Sequence, residues 1–172
     1  IDVAYRYFSS EKRKFIVVDT PGHELYTRNM VTGASNAQLA VILIDSSKGV
    51  MTQTRRHSYL CHLLGITNIV LAVNKMDLVD YSQITFNSIV SDYKIFADSI
   101  GIMKYTAIPI SGLNGDNITT FSKKTKWYKG PTLLNHLEDI KIVKKISGDL
   151  ADFIMPVQWV NRPNQKFRGY SG

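Results

Sequence analysis

Three short polar clusters stand directly after apolar runs. Asp19-Thr20-Pro21-Gly22-His23 closes KFIVVD (14–19), Asn74-Lys75-Met76-Asp77 closes the run that opens at Asn68, and Ser111-Gly112-Leu113 follows YTAIPI (105–110). In open α/β sheets ligands bind beyond the carboxyl ends of the strands. The second cluster suits a guanine base, whose edge offers two donors, N1–H and the 2-amino group. A carboxylate only accepts, so Asp77 can take both. Asn74 can tie the loop and reach the base at N7 or O6, and the Lys75 stem can lie along its plane. In the first cluster, Asp19 can hold a magnesium ion through its water shell. Gly22 lets a backbone N–H approach a γ-phosphate unobstructed. Taken singly, each cluster is also an ordinary strand-to-helix turn or polar loop.

The elements that must position them follow from periodicity. Ile1 to Phe8 alternates, with Ile1, Val3, Tyr5 and Tyr7 on one face, and reads as a half-buried strand. A turn at Ser9–Lys12 and a strand over Lys14–Asp19 make an antiparallel hairpin. A helix is expected from about Glu24 to Asn36. Leu39–Asp45 and Asn68–Asn74 are continuous apolar runs, as expected of strands buried on both faces of a parallel sheet. Between them lies a helix over Thr52–Leu64, with Thr52 as N-cap, Gly65 as C-cap, and Tyr59, Leu60, Leu63 and Leu64 as its apolar side.

Gln83–Ile100 repeats the helical pattern through Ile84, Ile89, Ile95, Phe96 and Ile100. Tyr105–Ile110 is a short strand, and Pro131–Ile140 a last helix with proline in its first turn. Alternating strands and helices predict an α/β doubly wound domain over residues 1–142. Residues 143–172 change character. Phe153–Val160 alternates around Pro156 and is followed by Asn-Arg-Pro-Asn, the expected opening of a β domain.

Composition narrows the class. Of 172 residues, 44% are apolar and 20% charged, ordinary for a globular domain. The longest apolar run, Leu39–Ile44, is far short of the roughly 18 residues that cross a bilayer. A lone cysteine, Cys61, excludes a disulfide framework and a cysteine-based zinc site, and the chain is read as cytoplasmic. The net charge of +7 is concentrated in residues 119–145, where seven lysines face Glu138 and Asp139. Lys123, Lys124, Lys126 and Lys129 surround Trp127 and Tyr128. Such a cluster can touch RNA, but a solvated loop is the preferred reading and no nucleic-acid partner is expected. His57 and His62, five apart, do not share a helix face, so no metal site is expected there. Cys61 is read as a small buried residue, Arg28, Arg55 and Arg56 as solvated, and Asp45 as a turn cap.

The three clusters together, in this order and each at a strand end, resemble the third, fourth and fifth conserved loops of P-loop GTPases. DTPGH (19–23), ELYTRNM (24–30) and TGAS (32–35) narrow the resemblance to the translation-factor class. GVMTQTRRHSYL (49–60), LAVNKMDLVDY (71–81), GDNI (115–118), WYKGPTLLNHLE (127–138) and DFIMPVQWVNRPNQKFRGYSG (152–172) are most similar to the GTPase subunits of bacterial sulfate adenylyltransferases. The resemblance implies a P-loop GTPase-type fold followed by the start of a β-barrel. It implies GTP and Mg²⁺ as ligands and a smaller adenylyltransferase subunit as partner. The complex would convert ATP and sulfate to adenosine 5′-phosphosulfate, coupled to GTP hydrolysis. Asp19, Thr20, Pro21, Gly22 and His23 would serve the phosphates, with Asp19 on Mg²⁺ through water and His23 orienting the attacking water. Asn74, Lys75, Met76 and Asp77 would hold guanine, with Ser111, Gly112 and Leu113 closing over it.

The sequence departs from that pattern in two ways. Ser-Gly-Leu replaces the usual Ser-Ala-Leu, which is expected to loosen the loop while keeping its backbone contact. No Gly-x-x-x-x-Gly-Lys-Ser/Thr cradle occurs in the 172 residues, so a partial sequence is expected. Two alternatives stand beside this reading. A translation elongation GTPase would not be expected to carry the Thr-Arg-Arg-His run or the tail. A non-catalytic module without a P-loop would be separated by the coding sequence upstream of Ile1.

Overall fold

The computed structural model describes residues 3–142, 155 and 157–171. The chain divides into two compact units, Ile1–Lys141 and Ile142–Gly172. In the first, β1 (Ala4–Ser9) and β2 (Lys14–Asp19) form an antiparallel hairpin, followed by a 3₁₀ turn at Glu24–Tyr26 and helix α1 (Thr27–Ala34). Then come β3 (Ala40–Asp45), α2 (Thr52–Leu63), β4 (Ile69–Asn74), a 3₁₀ turn at Met76–Val79, α3 (Gln83–Ser99), β5 (Tyr105–Pro109) and α4 (Leu133–Asp139). Strands β3, β4 and β5 lie side by side and parallel, with β4 in the centre. The expected α/β fold with a parallel sheet is present.

The central strand shows why the apolar runs read as they do. Ile69, Leu71 and Val73 of β4 join Ile42 and Ile44 of β3, Met30 and Ala34 of α1, Cys61 of α2, and Phe86, Ile89, Tyr93 and Ala97 of α3 in one core. Val70 and Ala72 point to the other face and pack with Ile108, Ile110, Tyr128 and Leu133. Side chains alternate across a strand, so β4 needs apolar residues at every position to be covered by helices on both faces.

The expectation for β3 is corrected. Ile42 and Ile44 are buried, but Val41 is 39% and Leu43 62% exposed. Register sets Val41 beside Val70 and Leu43 beside Ala72, and the apolar cover on that face is centred on β4 and β5. The β1 expectation is corrected as well, since Tyr5 and Tyr7 are exposed, while Phe8 and Phe15 stack across the hairpin at 4.6 Å. The far end of the hairpin docks on α4. Arg13 donates to the carbonyls of Leu137 (2.9 Å) and Ile140 (3.0 Å), and Lys12 pairs with Asp139. A cation at carbonyls that a helix C-terminus leaves unpaired is favourable.

Helix ends move by a residue or two. Met51, not Thr52, precedes α2, and it makes no side-chain cap. Thr132 caps α4 by accepting from the Asn135 N–H at 3.2 Å, which places Pro131 outside the helix. The expected 24–36 helix is a 3₁₀ turn followed by α1. The buried face of α2 is Thr54, Ser58 and Cys61, whereas Tyr59 and Leu63 are exposed. On α3, Phe86, Ile89, Tyr93 and Ala97 are buried, and Ile84 and Ile95 are exposed. These two faces meet through a hydrogen bond, Tyr93 Oη donating to Ser58 Oγ at 3.0 Å, with Ser58 donating in turn to the Thr54 carbonyl at 2.8 Å. Both side chains are fully buried, so periodicity of apolar residues alone could not find this pairing.

The second unit contains the antiparallel hairpin β6 (Trp159–Asn164) and β7 (Phe167–Ser171). Part of the expected 153–160 strand lies outside the described residues. The Asn-Arg-Pro-Asn segment belongs to β6 rather than following it. Its register is irregular between Asn161 and Asn164, and a proline in a strand is tolerated at such an irregularity.

Replacing Ser58 with Ala leaves the Tyr93 phenol buried without its acceptor and is expected to cost about 1–3 kcal/mol. The double variant with Tyr93→Phe is expected to cost less than the two single changes summed. Urea unfolding of the four proteins, run as a double-mutant cycle, measures both.

Candidate base-binding and phosphate loops

Parallel register places Asp45 at the end of β3 directly beside Asn74 at the end of β4. The Asn74 side-chain carbonyl then accepts two backbone N–H groups, from Lys75 at 2.7 Å and from Gly112 at 2.9 Å. One oxygen thereby joins the loop after β4 to the loop after β5. A second tie runs from Ser111 Oγ to Asp77 Oδ1 at 2.5 Å. Ser111 is fully buried, and its hydroxyl also accepts from the Asn114 N–H at 3.2 Å. The sequence-derived residues Asn74, Lys75, Asp77, Ser111 and Gly112 are thus brought into one cluster. It presents a carboxylate with lone pairs to spare and an amide whose NH₂ remains a donor. That donor and acceptor set matches the edge of a guanine.

Met76 and Leu113 stand apart from this group. The Met76 side chain is fully buried in the core, so the residue can serve the loop only through its backbone, whose N–H bonds the Ile110 carbonyl at 3.2 Å. Leu113 is 87% exposed. Gly112 is not in a left-handed conformation, and a Cβ there would lie 3.4 Å from Asn74 Oδ1, an ordinary contact. An alanine therefore fits this position.

Asp45 and Ser46 enter the site without having been singled out as site residues. Lys75 sits in the left-handed region at φ 62°. Its ammonium reaches Asp45 Oδ2 at 2.7 Å, and its carbonyl accepts from buried Ser46 Oγ at 2.7 Å. Asp45 does cap its turn as expected, accepting from the N–H and hydroxyl of Ser47, but it also fixes the Lys75 side chain. The signal available in the sequence was the strand-end position of LAVILIDSS beside NIVLAVNK in a parallel pair. The bond from Lys75, aided by Ser47, holds the Asp45 carboxyl down at about 2.

The phosphate-loop candidates occupy the end of β2. Asp19, Gly22 and His23 are exposed, and Thr20 and Pro21 are half-buried. His23 caps the 3₁₀ turn, its Nδ1 accepting from the Leu25 N–H at 3.3 Å, and its ring lies 6.1 Å from that of Tyr26. Gly33 of α1 explains the loop's seat. A Cβ there would lie 2.6 Å from the Thr20 methyl and 2.9 Å from Val18, so only glycine lets α1 press on this turn.

Helix α2 holds the loop from the other side. Arg56 pairs with Glu24 at 3.0 Å, and His57 packs on Gly22. Burial lowers the His57 pKa, against the raising effect of its bond to the Gly22 backbone. Arg55 lies over the Phe96 ring at 5.5 Å. Among the described residues no group of three or more His, Cys, Asp or Glu could hold a metal ion by itself. Burial raises the Cys61 thiol to about 11, which makes it inert at neutral pH.

The elongation factor Tu GTP-binding domain model matches residues 1–145. The chain belongs to that family. Its curated relatives include sulfate adenylyltransferase subunit 1 of Aliarcobacter butzleri, 63% identical over 173 residues, and that of Cellvibrio japonicus, 58% identical over 174. Each alignment covers all of this chain and 36% of the relative, so the chain spans about a third of the length of the curated relatives it matches. Among solved structures, Sup35 complexed with GMPPNP superposes with a TM-score of 0.66 at 27% identity, over 81% of this chain and 35% of that one. The family of GTP-binding domains accords with the strand-end clusters read from the residues. No helix among the described residues is long and apolar enough to cross a membrane.

The Asp45–Lys75 pair gives a pH test of the loop. A depressed carboxyl contributes stability above its unfolded value near 4, and loses it as pH falls toward about 2. NMR titration is expected to find the Asp45 carboxyl near 2, and Lys75→Ala to return it toward about 4. An Asp45 that titrates normally in both proteins would show that Lys75 is not held there.

Proposed function

We propose that this chain is the guanine-recognising part of the GTPase subunit of a sulfate adenylyltransferase. The observation that carries the reading is the tied cluster of Asn74, Asp77, Ser111 and Gly112, whose acceptor and donors match guanine. One comparison supports it over a translation elongation GTPase. Both curated relatives described above carry the sulfate adenylyltransferase name at 58–63% identity across the whole chain, whereas Sup35 shares 27%. The reaction proposed for the complete complex joins ATP and sulfate into adenosine 5′-phosphosulfate with release of pyrophosphate. A sulfate–phosphate anhydride lies uphill, so GTP hydrolysis is the exergonic step coupled to it. A smaller adenylyltransferase subunit is the proposed partner.

Within the subunit, Asp77 accepts from guanine N1–H and the 2-amino group, and Asn74 directs its amide NH₂ toward the N7 and O6 side. Ser111 and Gly112 hold the two loops in register. Asp19 is the proposed Mg²⁺ residue, through bound water. One exposed carboxylate at a strand end suits an ion that keeps several waters and takes its other ligands from phosphates. When bound, the ion neutralises charge on the β- and γ-phosphates. Gly22 offers its N–H to the γ-phosphate. His23 is the proposed water-orienting residue, through the Nε2 that its Nδ1 cap on Leu25 does not use.

Two substitutions in a full-length protein carrying this segment test these roles. Asp77→Asn places an amide donor against the guanine amino group but matches the carbonyl that xanthine carries there. GTP affinity is expected to fall by about a hundredfold or more, XTP affinity to rise, and adenylyl sulfate synthesis to follow XTP. Competition binding of the two nucleotides measures it. If the preference ratio stays put, the base-site assignment is wrong.

His23→Ala is expected to leave GTP affinity near wild type and slow single-turnover hydrolysis by about 10²-fold, because an orienting group acts mainly in the transition state. Synthesis by the subunit pair that ignores GTP altogether would overturn the coupled reaction.

A further inference from the structure

The basic and aromatic segment at 123–129 left one question open, since neither guanine nor phosphate chemistry uses it. Two of its residues engage Tyr81. Lys124 Nζ donates to Tyr81 Oη at 3.2 Å and lies 4.7 Å from the ring centroid. Trp127 Nε1 donates to the Tyr81 carbonyl at 3.0 Å. The same hydroxyl donates to Asp116 Oδ2 at 2.6 Å and accepts from Asn114 Nδ2 at 3.2 Å. One donation and two acceptances use the full capacity of a phenolic oxygen.

Tyr81 ends the segment that begins at Asn74, and its N–H bonds back to the Met76 carbonyl at 2.8 Å. Asp116 and Asn114 belong to the loop that begins at Ser111, and the Asp116 carbonyl accepts from the Ser111 N–H at 3.2 Å. The backbone is held in an unfavourable shape to achieve this. Asp80 and Tyr81 are consecutive non-glycine residues in the left-handed region, at φ 48° and 54°. Such residues persist only where surrounding contacts over-determine them, and they concentrate at functional sites.

We propose that Tyr81, braced by Asp116, Asn114 and Lys124, is a positioning residue for base recognition. Its hydroxyl fastens the far end of the 74–81 loop to the 111–116 loop and so fixes Asp77 against Ser111. Lys124 adds a charge on the rim, close enough to act on both Asp116 and Asp77. Burial pushes the Asp116 carboxyl up, but the bonds from Tyr81 and Ser122 and the Lys124 charge outweigh it, so the acceptor stays ionised. The brace discriminates bases because two-point acceptance by Asp77 tolerates little displacement. Loss of the tie weakens the 2-amino contact more than nucleotide binding as a whole. This inference rests on the base-site reading above.

The experiment compares GTP with ITP, whose base lacks the 2-amino group, on the full-length protein. Wild type is expected to hold GTP more tightly than ITP. Tyr81→Phe is expected to weaken GTP binding about three- to tenfold and to narrow the GTP/ITP ratio by about threefold, with the loss appearing in KM rather than kcat. Asp116→Ala is expected to do the same. Asp116→Asn, which keeps an acceptor for the Tyr81 hydroxyl, is expected to restore the ratio to within about twofold of wild type. A Tyr81→Phe protein that loses GTP and ITP affinity equally, or neither, overturns the brace while leaving the base site standing. A wild type that holds ITP as tightly as GTP overturns the base-site reading, and the brace with it.

Discussion

The Asn74 side-chain oxygen accepts the N–H of Lys75 and the N–H of Gly112, and the geometry of the proposed base site depends on this double acceptance. It requires that β4 end level with β5, which the parallel pairing of Val73 with Pro109 provides. It also requires a short side chain with a carbonyl on one branch and a donor on the other. Aspartate would lose the donor, and glutamine would overreach. With Asn74 in place, the loops after β4 and β5 share one anchor, and the Ser111–Asp77 bond and the Tyr81 hub are further ties between the same two loops. A central strand buried on both faces makes such precision available, because neither Leu71 nor Val73 of β4 can shift without disturbing the core.

Much of this was legible in the residues. The strands and helices of the first unit lie within a few residues of their expected bounds, because the apolar runs and the helical spacing are strong. Singly, the strand-end words DTPGH, NKMD and SGL are ordinary turns or polar loops, and they were legible because all three occur in order, each at the end of a strand. What periodicity could not show is where partners are polar. The buried face of α2 carries Thr54 and Ser58, so of the four apolar residues chosen for it Leu60 and Leu64 pack on the core while Tyr59 and Leu63 are exposed. The exposed side of β3 depends on how far cover extends from Leu133 and Tyr128, a tertiary fact. Asp45 and Tyr81 acquire their site roles from residues 30 and more positions away, and no local pattern announces that.

The basic cluster illustrates the same limit from the other side. In the sequence it is a local excess of lysine next to two aromatics, consistent with a solvated loop or a polyanion contact. In the structure Lys124 and Trp127 are committed to Tyr81, and Tyr128 Oη donates to the Pro131 carbonyl at 3.0 Å. Asn117, buried at φ 56°, organises the stretch between by donating to the Pro109 carbonyl and to Thr125 and accepting from Ser122. Charge counting along a chain treats each lysine as solvated. It cannot see that one of them, though exposed, finishes the hydrogen bonding of the half-buried Tyr81 hydroxyl.

The two candidate loops are built on opposite plans. The 74–81 and 111–116 loops are cross-tied by side chains that are themselves buried or bonded, so the proposed base would have little left to order on binding. The 19–26 turn is held mainly at its edges, by Gly33 beneath Thr20, His57 against Gly22 and the exposed Arg56–Glu24 pair. An exposed ion pair contributes little, about 0–1 kcal/mol. His23 is occupied by a weak cap rather than a buried partner. A nucleotide's base is the same before and after hydrolysis, whereas its phosphates are not. On the proposed roles, rigid ties stand at the base and the more loosely held turn at the phosphates. The hairpin that ends in Asp19 carries this contrast further, since its other end is fastened by Arg13 to the carbonyls that finish α4. A change at the phosphate turn would pull on a strand whose other end is fastened, not on a free loop.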